Sequence, residues 1–165
     1  MRIAAMVLLF TFATAAASAY AADPARQQEV AQRGGQVMPF ALDATTHVFT
    51  KTAAGGVQQV LVKQAGDTRQ RALIRAHLAE IAVRFAAGDY SAPERIHGAA
   101  MPGLAQLKAA PPGALRIAYS ELDAGAQIAY TTADPALAGA LHRWFDAQLS
   151  DHGHDAVAGQ HKHQH

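Results

Sequence analysis

Two stretches of alternating residues, each broken at a glycine turn and each followed by an amphipathic run, constrain this chain more than any other feature. Thr46–Thr52 and Val57–Lys63 are rich in β-branched residues and flank Ala53-Ala54-Gly55-Gly56. Such segments joined by a flexible turn predict a β-hairpin. Asp67 then offers an N-cap, and Ile74, Leu78, Ile81 and Phe85 fall on one stripe at helical spacing, which predicts a helix over about 68–87. The layout recurs further on. Leu115, Ile117 and Tyr119 alternate with Arg116, Ala118 and Ser120, and beyond Asp123-Ala124-Gly125 the alternation resumes with Ile128 and Tyr130. Asp134-Pro135 supplies a cap and a first-turn proline, and Leu137, Leu141, Trp144 and Phe145 form the stripe of a helix ending near Asp151. Two ββα units in series predict an α+β fold, a four-stranded antiparallel sheet with both helices on one face.

That domain is expected to span 46–152. Residues 1–21 read as a secretory signal peptide: Arg2 supplies the positive start, Met6 to Phe12 is apolar, and Ala17-Ser18-Ala19 or Ala19-Tyr20-Ala21 fits a cleavage site. The apolar run is too short for a membrane span. A periplasmic or secreted protein with no membrane association after cleavage is therefore expected. Residues 22–45 read as an N-terminal arm and lead-in, with Asp23-Pro24 starting a short, weakly apolar helix that ends at Gly34-Gly35. Residues 153–165 read as a disordered, histidine-rich tail.

Composition narrows the chemistry. A formal net charge of +1 and the lack of a basic run give no reason to expect nucleic acid as a partner. The chain has no cysteine, which excludes thiolate catalysis, zinc–thiolate sites and cysteine-held iron–sulfur clusters. It has nine histidines, so a metal ion would be held by imidazole, carboxylate or thioether. No Gly-x-Ser-x-Gly turn presents a nucleophile, and no glycine loop before a helix cradles phosphate. Glu80 lies three residues from His77 on one helix, a spacing that makes a surface ion pair.

Between the two halves lies Ile96-His97-Gly98-Ala99-Ala100-Met101-Pro102-Gly103. Two methionines follow the signal segment, Met38 and Met101, and both precede proline in irregular stretches rather than sitting on a helix stripe. Thioether beside imidazole suits a soft ion such as copper(I). His97 and Met101 are thus the expected primary metal ligands, with His47 or His77 secondary, and His161, His163 and His165 an accessory capture site. Copper is the first metal expected, zinc the second. By helical angle His142 points away from its stripe and reads as exposed. The alternatives are a non-catalytic interaction module that uses exposed sheet edges, or a small enzyme whose groups converge only in space.

Several runs also carry a resemblance: Met38-Pro39-Phe40, Ile74-Arg75-Ala76-His77-Leu78, Ile96-His97-Gly98, Met101-Pro102-Gly103-Leu104, Asp134-Pro135-Ala136-Leu137, and Leu141 to Leu149 followed by Asp151-His152-Gly153. From Met38 to Gly153 the chain resembles a family of small secreted bacterial proteins often labelled aspartate carbamoyltransferase. The enzyme of that name has two α/β domains and binds carbamoyl phosphate with a Ser-Thr-Arg-Thr loop. This sequence has no such run and no alternating helix–strand order, so the resemblance implies a secreted family and not that reaction.

Overall fold

A computed structural model describes residues 23–160. The fold is mixed α+β, an open five-stranded sheet with five α-helices. Helix α1 (Pro24–Val37) begins where the Asp23 carboxylate accepts from the Ala25 amide at 3.0 Å. Strands β1 (Thr45–Thr52) and β2 (Gly55–Val62) form the first hairpin, and α2 (Thr68–Ala86) follows behind Asp67, whose side chain accepts from the Gln70 amide. Strands β3 (Arg116–Leu122) and β4 (Gly125–Thr131) form the second hairpin, followed by α5 (Pro135–His152). Between the halves, where the sequence suggests only irregular turns, stand two short helices, α3 (Ser91–His97) and α4 (Leu104–Lys108).

The sheet order is β3-β4-β2-β1-β5, and β2 pairs antiparallel with β4 so that the two hairpins join through their inner strands. The four expected antiparallel strands are present, but the sheet has a fifth. Residues 153–160, expected to be disordered, instead form a 3₁₀ turn (Gly153–Asp155) and β5 (Ala156–Ala158), which pairs parallel with β1. The physical reason is an unpaired edge: β1 presents a free row of backbone groups, and the chain leaving α5 lies beside it and satisfies them. Lys63 and Asp155 add an ion pair at 3.2 Å. The signal segment and His161, His163 and His165 lie outside the described residues. Among the described residues no helix is long and apolar enough to cross a membrane.

One face of the sheet carries Phe49, Val60, Ile128 and Tyr130, and these pack under Ile74, Leu78 and Phe85 of α2 and Leu141, Trp144 and Phe145 of α5. Trp144 lies near the centre, with edge contacts to Phe85, Tyr90 and Tyr130. Gly103 permits one close approach. A side chain there would bring its Cβ to 2.0 Å from the Ala140 carbonyl, so α4 sits against α5 at a distance only glycine allows.

Candidate functional site

The site grows from four elements that meet at one end of the sheet. On β1 the two-residue period puts His47 on the same inward face as Phe49, and His47 is buried. On α3 the last helical residue is His97, and Gly98 at φ 84° ends the helix immediately after it. On α5 the last turn presents Asp151 and His152, about 100° apart around the axis, so they face different neighbours. Asp151 turns toward α1 and α3, and His152 toward β1.

The rings touch. His47 and His152 stack with centroids 4.8 Å apart and planes 8° from parallel. His97 meets His152 edge to face at 5.0 Å. Phe40 packs on both His47 and His77, at 6.0 and 5.6 Å. Together they line a cavity of about 50 Å³, along with Met38, Gln148 and Trp144.

His97 is held in a fixed orientation. Its Nδ1–H donates to Asp151 Oδ2 at 2.8 Å, and both side chains are buried. Arg26 from α1 donates to the same carboxylate through Nε at 3.1 Å and Nη2 at 2.9 Å, and also to the His97 carbonyl. Burial opposes ionisation of Asp151, but the hydrogen bonds from His97 and Arg26 outweigh it and hold the carboxyl at about 2. The other ring nitrogen of His97, Nε2, lies on the far side of the ring from this carboxylate. That Nε2 is buried and has no hydrogen-bond partner, and the same holds for Nδ1 of His47. Burial, reinforced by the neighbouring His97, pushes His47 down to about 4. Burial and then His47 push His152 well below its ordinary value. Both imidazoles are therefore neutral at pH 7, the form that offers a lone pair. His77, half-exposed at the rim, is lowered by burial and partly restored by Glu80.

The structure thus brings His47, His77 and His97 to one cavity but not Met101. Met101 is 4% exposed within the apolar core and is not among the residues lining the cavity. The thioether at the cavity is Met38. Sequence reasoning also missed His152, Asp151, Arg26 and Gln148 as site residues. The only sequence signal for the first two is an Asp-His pair at a helix end, which many helices share. His142 is half-buried rather than exposed: its Nε2–H is shared between the carbonyls of Thr52 and Gly55, at 3.0 and 2.8 Å, and pins the first hairpin's turn.

Among the described residues no three His, Asp or Glu side chains already surround one point as metal ligands. The stacking explains this. Two parallel rings direct their in-plane lone pairs side by side rather than toward each other, so a shared ion requires one ring to turn about its Cβ–Cγ bond. No protein-family model matches this chain, and no curated protein or solved structure matches it at a significant level.

Proposed function

We propose that the chain is an exported metal-binding protein that holds its ion with His47, His97 and His152, with Met38 as a thioether ligand and copper as the metal. The observation that carries this reading is the pair of buried, unpartnered imidazole nitrogens at one cavity, His97 Nε2 and His47 Nδ1. A buried polar atom without a partner costs about 1–3 kcal/mol, and a cation that takes the lone pair removes that cost. The Asp151–His97 bond is the usual support for a ligating imidazole, since the carboxylate fixes the ring and raises the donor strength of the far nitrogen. Thioether with neutral imidazole favours copper(I) over harder ions. The Ala-rich start of the chain supports export, and the terminal histidines suit capture of the ion outside the fold.

The lining of the cavity favours this reading over nucleophilic catalysis. No lining residue carries a hydroxyl, thiol or carboxylate to act as a nucleophile beside His97.

The test is a competition titration with copper(I) and zinc(II), using the chain carrying His161→Ser, His163→Ser and His165→Ser. One copper per chain is expected to bind. His152→Phe should weaken it at least about 100-fold while the circular dichroism spectrum is retained, and Met38→Leu should weaken copper(I) more than zinc(II). Loss of all stoichiometric binding with the terminal histidines alone would defeat the reading.

A further inference from the structure

The fold covers one face of the sheet and leaves the other open. Helices α2 and α5 pack on the face that carries Phe49, Val60, Ile128 and Tyr130, and α1 and α4 lie against α5. Among the described residues no helix covers the opposite face. There the strand register sets Gln59 beside Gln127, with Val48 next to Gln59 on β1. Val57 and Ala129 flank the pair on one side and Leu61 on the other, and all six residues are half-buried. The chain has 14 Lys and Arg and 13 Asp and Glu, yet the only charged strand residue on this face is Arg116, at a corner. A sheet face that meets water ordinarily carries polar residues in alternation, whereas an uncharged and partly apolar one marks a contact surface.

We propose that this face is the interface of a homodimer, in which two copies pack sheet on sheet about a two-fold axis beside Gln59 and Gln127. The proposal is independent of the metal reading, since His47 and its cavity lie on the other side of the sheet. Size allows it. Strands β1 to β4 have seven or eight residues each, and at about 4.8 Å spacing they present roughly 500 Å². Two copies then cover about 1,000 Å², the extent at which specific interfaces begin. Charge points to a second copy. A nucleic acid, an anionic membrane or a charged protein surface would find no opposite charges here, whereas two identical uncharged faces meet without repulsion. The central amides are self-complementary as well. Gln59 Nε2–H donates to Gln127 Oε1 at 2.9 Å, and with that bond made Gln59 still has an amide oxygen to offer and Gln127 an amide N–H. A two-fold axis brings the donor of each copy to the acceptor of the other, so the contact is made twice. The flanking valine, leucine and alanine side chains interdigitate around it, as in other face-to-face sheets.

Sedimentation equilibrium tests it, on the purified chain in EDTA so that no metal bridges two copies. Between about 1 and 200 µM a monomer–dimer equilibrium is expected, the affinity range open to an interface of this size. Gln59→Lys sets like charges across the axis and should weaken the dimer at least about 100-fold. Thr50→Lys, on the same face but away from the amides, should weaken it about tenfold. Val83→Lys, at a position 71% exposed on α2 and off this face, should leave it unchanged. Mixing Gln59→Lys with Gln59→Glu should restore dimers, which also shows that both variants fold. A chain that stays monomeric at the highest concentration would overturn the proposal and leave the face to solvent or to a different protein. A dimer as tight in Gln59→Lys and Thr50→Lys as in wild type would overturn it too.

Discussion

Helices α2 and α5 carry the same local code and end in different environments. Each follows a hairpin, each has an Asp N-cap whose carboxylate accepts from the first turn, and each shows one large apolar stripe. Yet beyond that stripe α2 buries only Ala82, with Ala72, Ala76, Val83 and Ala86 left exposed, whereas α5 also buries Ala138, Ala140, Ala147, Gln148 and Asp151. The difference lies in the second layer. Helices α1 and α4 pack against the far side of α5, and its alanines let them come close. A helix covered on both sides can hold a buried carboxylate and imidazole in its last turn. One covered on a single side leaves its histidine at the rim, as α2 does with His77. The candidate site is on the second helix for that reason.

The sharpest way to break the comparison is a matched pair of charges. Ala140→Asp on α5 places an unpartnered carboxylate at a fully buried position and should cost about 4 kcal/mol in urea unfolding, whereas Ala76→Asp on α2 should stay within about 0.5 kcal/mol. Equal effects would show that α5 is not enclosed.

Acid titration of the metal-free chain should report the same asymmetry. His47 titrates near 4 when folded and near 6.5 when unfolded, so the unfolded chain takes the proton first. Its contribution is complete above about pH 6.5 and is lost as pH falls toward 4, about 3 kcal/mol in all. His47→Phe should flatten that limb of the stability curve, and His77→Phe should change it much less. An unchanged limb in His47→Phe would contradict the burial assigned to the cluster.

The smallest contrast is between two glycines with similar backbone. Gly88 and Gly103 have φ 77° and 82°, but a Cβ at Gly88 meets open space and one at Gly103 meets the Ala140 carbonyl. Alanine at Gly88 should cost about 1 kcal/mol from backbone strain alone, and at Gly103 about 2 kcal/mol more from the forced separation of α4 and α5. Thermal melts of the two variants would show the gap.

Much of the framework was legible in the chain order. The hairpins, the Asp caps and the core stripes follow from periodicity, because strand and helix impose their repeat on whichever residues face the core. The inward direction of His47 followed from its two-residue spacing to Phe49. Alanine was the blind spot. It packs or is exposed with little difference in pattern, so the burial of α5's second face was hidden, and β5 was hidden because three residues of Ala-Val-Ala pair only once an edge is beside them.

The sequence by itself determined two hairpin–helix units, their caps and the number of imidazoles available to a site. Only the tertiary structure decided which of them meet. Arg26 and Asp151 are separated by 125 positions and His97 and Asp151 by 54, and no local rule links residues so far apart. The docking of α1, α3 and the last turn of α5 on one sheet end put His47, His97 and His152 in contact and left Met101 in the core. Side-chain convergence depends on how layers pack, and packing is a property of the closed fold rather than of any segment in it.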